Sequence, residues 1–341
     1  MRISIIGAGN GGQAMAAHLT LLGHEVCLYD RDPEKLKELK EIHLQGKLLG
    51  SAKISRLTSS IEQAAAFGEL IMVTTVATAH KEIAERISPY LKEEQIVILN
   101  PGRTGGVWEF RKVLQEAALD KKIFLGEAQT LLYACRLIKN GLVNVIGVKD
   151  AVLLSGEDEA KTNYILDRIN PVFPCFKKAK NLFHTSLENI GCIFHPCVVL
   201  CNAATIERGE TFYFYRDMTP QIADFIEKVD QERLNVGKAY GLQLQSATDW
   251  ISSAYTGVKG DTLCERMRNN PAYYDIIAPT SIYTRQLFED IPTGLVPISE
   301  MGRLKGIATP LIDSIISICS ALLNVDFRET GRKNSIIPRE V

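Results

Sequence analysis

Gly7, Gly9 and Gly12 stand in the run Gly7-Ala8-Gly9-Asn10-Gly11-Gly12, a G-x-G-x-x-G spacing whose chemistry is the binding of a pyrophosphate. Gly7 permits a tight turn, Gly9 a close approach of backbone to the anion, and Gly12 the close packing of a helix on a sheet. Asn10 falls at the start of that helix, where unpaired amides and the helix dipole favour negative charge. The flanks suit this reading. Ile3-Ser4-Ile5-Ile6 reads as a buried strand, and Met15, Leu19 and Leu22 follow at helical spacing. A second strand-like run, Glu25 to Tyr29, ends at Asp30, eighteen residues after Gly12. A carboxylate there can accept hydrogen bonds from ribose hydroxyls, which points to NAD. Arg31 beside it could instead receive a 2'-phosphate, which leaves NADP possible.

A nicotinamide enzyme also needs a group that moves protons near neutral pH, and histidine is the usual one. The six candidates are His18, His24, His43, His80, His184 and His195. The first three fall on or beside surface helices in this reading. His80 begins a helix near the ends of the expected strands and is secondary, and His184 sits in a linker. His195 lies in the apolar run Asn189 to Asn202, where a polar side chain needs a partner. Pro196 leaves the carbonyl of Cys192 without its amide and is expected to kink the helix, which could aim the imidazole. A hydrogen-bonded core histidine is the competing reading, and the residues alone leave both open.

These groups need elements to hold them. From Met1 to about Leu182, strand-like and helix-like segments alternate, the signature of a parallel sheet covered on both faces. Helices are expected from Pro33 to His43, from Ala79 to Pro89, and, after a Gly-rich turn at Pro101 to Gly106, on to about Leu119, with strand-like runs at 52–58, 69–75, 95–100 and 122–126. Asn10, Thr75, Asn100 and Glu127 then lie at the carboxyl ends of strands, where such sheets bind ligands. Beyond Thr185 the periodicity is helical over 187–207, 220–240, 246–254 and 309–323, so a Rossmann-type domain (1–182) is followed by an all-α domain (183–341). The last of these helices is apolar over a broad face, as a core or interface helix would be, and it hints at a dimer. The tail from Arg328 is polar and expected to be poorly ordered.

Bulk composition narrows the classes further. The 341 residues carry 39 Lys plus Arg against 40 Asp plus Glu, so no global field recruits nucleic acid or an anionic membrane. No charged start precedes an apolar run, and no stretch of about twenty apolar residues is present, so neither a secretory signal nor a membrane span is expected. Eight cysteines occur without a C-x-x-C pair, as free thiols of a cytoplasmic protein do. Cys197, Cys201 and His195 lie close in sequence but lack a second ligand pair, and no metal is expected.

Longer motifs are more specific. Tyr283-Thr-Arg285-Gln-Leu-Phe-Glu289-Asp290-Ile-Pro292-Thr-Gly-Leu-Val-Pro297, together with His184-Thr-Ser-Leu-Glu-Asn189 leading to His195-Pro196, resembles the opine dehydrogenase family, the octopine/nopaline dehydrogenase group with its N-(1-carboxyethyl)norvaline dehydrogenases. The N-terminal glycine run, Asn100-Pro-Gly, Gly126-Glu127 and Thr309-Pro-Leu-Ile-Asp313 match it too. The resemblance implies reductive condensation of a 2-oxo acid, usually pyruvate, with the amino group of an amino acid. It implies a catalytic pair at His195 and Asp290, and a carboxylate-binding arginine at Arg285. Thr130 is a further candidate for the oxo-acid end. Asp290 two residues before Pro292 also looks like a helix N-cap, and Arg285 could be a surface ion-pair partner. Two rivals remain at this point: a direct 2-oxo acid reductase of the ketopantoate reductase type, and a non-catalytic nucleotide sensor. The identity of the amino acid is not legible.

Overall fold

The structure is a computed structural model and describes residues 1–255 and 257–339. It divides into two compact units, Met1–Thr185 and Ser186–Val341.

The first unit contains twelve strands: β1 (Arg2–Ile6), β2 (Glu25–Tyr29), β3 (Ile42–Gly46), β4 (Gly50–Ala52), β5 (Arg56–Thr58), β6 (Leu70–Val73), β7 (Ile96–Leu99), β8 (Phe124–Ala128), β9 (Tyr133–Lys139), β10 (Leu142–Val148), β11 (Val152–Gly156) and β12 (Phe176–Lys178). Eight form the main sheet in the order β12-β11-β8-β7-β6-β1-β2-β5. Every neighbouring pair is parallel except β8 with β11. β6 and β7 are buried throughout because helices cover both faces, which is why they read as unbroken apolar runs. The strand order reverses between β6 and β1, so the carboxyl end of β1 lies at the switch point. Gly7 follows β1 there.

Two departures from the sequence reading share one cause. The helix expected from Pro33 to His43 is only Pro33–Lys37, and His43 lies on β3, where Ile42 and Leu44 are buried and His43 is exposed. That period-two pattern is a strand's. The expected strand at 52–58 is two strands, β4 and β5, in different sheets. β5 is the edge of the main sheet, whereas β3 and β4 belong to a second, four-stranded sheet, β4-β3-β10-β9, which the sequence reading did not foresee. Its β9 and β10 are joined by Asn140-Gly141, with Gly141 at φ +81°, the residue pair that favours a tight hairpin.

The second unit is helical. The helical periodicity expected over 187–207 falls on two helices, Gly191–Cys201 and Ala203–Glu207, preceded by a short helix Leu182–Leu187 that begins in the first unit. Pro220–Ala239, Ala247–Ala254 and Pro310–Leu323 match expected helices to within about a residue at each end. The tail from Arg328, expected to be poorly ordered, is anchored at two buried residues, Arg332 and Ile337. The Arg332 amide donates to the Pro292 carbonyl at 3.0 Å. One apolar anchor and one buried arginine in a polar stretch are hidden by composition alone.

Candidate active site

The glycine turn is built by steric necessity. Gly7 has φ +107°, which side chains rarely adopt. A Cβ on Gly12 would lie 1.7 Å from the Gly7 carbonyl oxygen, so only glycine lets the Asn10–Leu21 helix start this close to the strand. Gly9 is different, because a Cβ there would meet nothing within 4 Å. Open space over Gly9 beside a helix N-terminus fits a dinucleotide's pyrophosphate. Asn10 does something unforeseen: its Oδ1 accepts from the Leu137 amide of β9 at 3.3 Å, tying the second sheet to the turn.

Asp30 closes the other side. Its Oδ2 accepts from the Ala8 amide and from Lys35 Nζ, both at 2.9 Å, and its Oδ1 accepts from the Asp32 amide at 3.1 Å. Burial pushes the carboxyl up, but the Lys35 bond and the two amides outweigh this and hold it below the ordinary range. The carboxylate therefore has a structural task in the turn. Arg31 is 76% exposed, its guanidinium 3.9 Å from Glu82.

Glu127 on β8 is buried beneath the β7 turn, accepting from the Val107 amide at 3.0 Å and the Thr185 hydroxyl at 2.7 Å. His80, the secondary candidate, is fully buried close by. A Cβ on Gly106 would lie 3.4 Å from both His80 Nδ1 and Glu127 Oε2. His18 is occupied by the Tyr133 hydroxyl at 2.9 Å, and burial pushes its imidazole down. His184 Nδ1 accepts from the Lys180 amide at 3.3 Å. Thr130, in the turn between β8 and β9, is half-buried, and its Oγ1 accepts from Lys149 Nζ at 3.0 Å. Lys149 was not singled out by the sequence, where one lysine after a strand reads as a solvated surface group.

In the second unit the segment before His195 is fixed by a buried arginine. Arg233 is fully buried and donates to the carbonyls of Leu187 (2.8 Å) and Gln245 (2.6 Å) and to Asp230 (2.7 Å). The Gly191–Cys201 helix follows, with Pro196 inside it. A π-helical turn, Ile291–Leu295, is pressed onto this helix at Gly294, where a Cβ would lie 2.3 Å from that of Cys192. This close approach brings Asp290 to His195. Nδ1 of the imidazole and Oδ2 of the carboxylate are 2.7 Å apart across 95 positions of sequence. An ionised carboxylate only accepts, so we assign the proton to Nδ1, which leaves Nε2 for other chemistry. Asp290 is 2% exposed and His195 26%, so the carboxylate is sheltered while the ring reaches solvent. Asp290 precedes the turn but makes no capping bond with its side chain.

Arg285 opens the short Arg285–Phe288 helix and is 62% exposed. Its Nε donates to the buried Glu289 carboxylate one turn on, which orients the guanidinium. Its terminal NH2 groups make no hydrogen bond among the described residues, so a fork remains for a carboxylate.

A mixed sheet carrying a dinucleotide turn, joined to a helical unit with a buried-carboxylate histidine, defines a two-unit oxidoreductase that uses NAD(P). The profile for "NAD/NADP octopine/nopaline dehydrogenase, alpha-helical domain" matches residues 178–323, and that for "NADP oxidoreductase coenzyme F420-dependent" matches residues 2–99. An opine dehydrogenase of Arthrobacter sp. (strain 1C) is 39% identical over 334 residues, covering 96% of this chain and 92% of its own. The chain belongs to the opine dehydrogenase family. It is an oxidoreductase acting on CH–NH bonds, and it joins a 2-oxo acid to an amino acid by NAD(P)H-dependent reductive condensation. The fold agrees. A solved octopine dehydrogenase with NADH and L-arginine superposes with TM-score 0.80 at 21% identity, covering 99% of this chain and 94% of its own. A ketopantoate reductase from Ralstonia eutropha JMP134 superposes at 0.64 with 16% identity, covering 97% of this chain and 99% of its own, a likeness of fold alone.

Proposed function

We propose that the 2-oxo acid is pyruvate, that NAD is preferred, and that His195, Asp290, Arg285 and Thr130 carry the condensation. The amine adds to the ketone carbon to give a carbinolamine. His195, charged by an incoming proton, protonates the departing hydroxyl from Nε2 as water leaves and the imine forms. Asp290 holds the ring in the Nδ1–H tautomer and stabilises the imidazolium, as carboxylates do behind other basic histidines. The free edge of the Arg285 guanidinium takes the amino acid carboxylate as a two-pronged, charge-assisted pair. The Thr130 hydroxyl meets the carboxylate of the oxo acid. A bound reduced nicotinamide supplies the hydride that turns the imine into a secondary amine.

The 2.7 Å contact between His195 and a buried carboxylate carries this reading. Asp30 at the glycine turn supports NAD, and eight free thiols support a reducing, cytoplasmic setting. Among the described residues, no helix is long and apolar enough to cross a membrane. Ile318 and Leu322, 52% and 46% exposed on the Pro310–Leu323 helix, support a homodimer, which sedimentation velocity tests. The defining experiment follows NADH oxidation with pyruvate alone and with each of the common amino acids, then repeats the productive pair with NADPH. Oxidation that needs an added amino acid and runs faster with NADH is expected. Equal rates without any amine would contradict the imine route.

A further inference from the structure

Lys149 follows β10 and turns its side chain back under the turn between β8 and β9. Its backbone amide donates to the Leu132 carbonyl at 3.0 Å, and its Nζ donates to the Leu131 carbonyl at 2.7 Å and to Thr130 Oγ1 at 3.0 Å. This turn sits against the dinucleotide helix, since a Cβ on Gly11 would lie 2.9 Å from the Leu131 side chain. Two features of the arrangement are unusual for a lysine. Among the described residues it forms no ion pair. The nearby charge of Arg103 has its own sign, and burial together with that repulsion pushes the ammonium down to about 8, with Cys135 opposing. A half-buried cation without a carboxylate, beside a second cation, is an environment suited to an incoming anion.

Hydrogen-bond directionality sharpens this. An ammonium can only donate, so Thr130 Oγ1 is the acceptor in that bond. The hydroxyl's own proton must then point elsewhere, and no acceptor meets it among the described residues.

We propose that Lys149 is a positioning residue for the oxo-acid substrate: it fixes the Thr130 hydroxyl as a donor to the substrate carboxylate and places a positive charge beside that carboxylate. The inference rests on Thr130 as the oxo-acid ligand, a role given above. In this arrangement Thr130 without Lys149 is a freely rotating hydroxyl. Lys149 without Thr130 is a charge with no aimed donor in front of it. The two therefore act as one unit, and their substitutions should not be additive.

The test is a double-mutant cycle read on separate Michaelis constants. Lys149→Met and Thr130→Ala are each expected to raise KM for the oxo acid about 10- to 100-fold, with KM for the amino acid and NADH affinity unchanged. The double variant should be no worse than about threefold beyond the poorer single one. If Thr130→Ala leaves the oxo-acid KM unchanged, the role of Thr130 falls and this inference falls with it. If Thr130→Ala raises it and Lys149→Met does not, or if the two effects multiply, the inference alone is overturned. Should Lys149→Met fail to fold, Lys149→Gln keeps an N–H donor for the Leu131 carbonyl but carries no charge. A raised oxo-acid KM in that variant supports the proposal, and an unchanged one overturns it.

Discussion

Asp290 illustrates what a buried carboxylate does for a neighbouring imidazole. It is 2% exposed, so its charge acts through a poorly screened environment, and its Oδ2 sits 2.7 Å from His195 Nδ1. Asp290→Asn keeps size and shape but can present an N–H to the ring, which favours the wrong tautomer. A fall in kcat of about 10²- to 10³-fold is expected, with NADH affinity unchanged. Steady-state rates with a fluorescence titration of NADH would check it, and a loss under threefold would remove Asp290 from proton transfer. Asp30 gives a prediction of stability instead. Its folded carboxyl lies below the ordinary 3.8, so its stabilising effect is present above that value and fades as pH falls through the folded pKa. Asp30→Asn is expected to cost about 1 kcal/mol in urea unfolding at pH 7, with the deficit shrinking as pH is lowered from 5 to 3. A deficit that does not change over that interval would contradict the assignment. Of these contacts, the sequence alone showed little. Asp30 was legible because its spacing from Gly12 is set by one strand–helix–strand unit. The pairing of His195 with Asp290 spans 95 positions, and only resemblance suggested it.

Elements carry the next level, and the glycine turn holds glycines in two kinds of surroundings. A Cβ on Gly12 collides with a backbone oxygen that cannot move without displacing β1, whereas a Cβ on Gly9 meets open space. Gly12→Ala is therefore expected to lower stability by several kcal/mol or prevent folding. Gly9→Ala should fold with a Tm within about 2 °C of the parent while losing at least tenfold in NADH affinity. Thermal melts alongside NADH titrations distinguish the two, and normal NADH binding by Gly9→Ala would show that the turn does not hold the pyrophosphate. The buried parallel strands β1, β2, β6 and β7 were readable as apolar runs because both of their faces are covered. The second sheet is not legible in the sequence. Its hairpin signal at Asn140-Gly141 was present, but the parallel pairing of β3 with β10 joins segments a hundred residues apart in round numbers, beyond any local pattern. Gly294 was equally silent, since the need for glycine there arises only from the helix pressed against it.

At the scale of the molecule, the two units divide the labour. The first presents a dinucleotide turn, with Thr130 on the adjoining turn and Lys149 reaching it from the end of β10. The second presents an imidazole backed by a sheltered carboxylate, and an oriented guanidinium. Each unit reads from its own residues. Joining a ketone to an amine requires a group that can both give and take a proton, the role proposed above for His195. The most direct test compares the parent enzyme with His195→Ala under saturating NADH, pyruvate and the productive amino acid, with NADH binding measured in parallel. A kcat lowered about 10²- to 10⁴-fold, or roughly 3–5 kcal/mol, is expected at unchanged NADH affinity. Turnover within a factor of about three of the parent would contradict it.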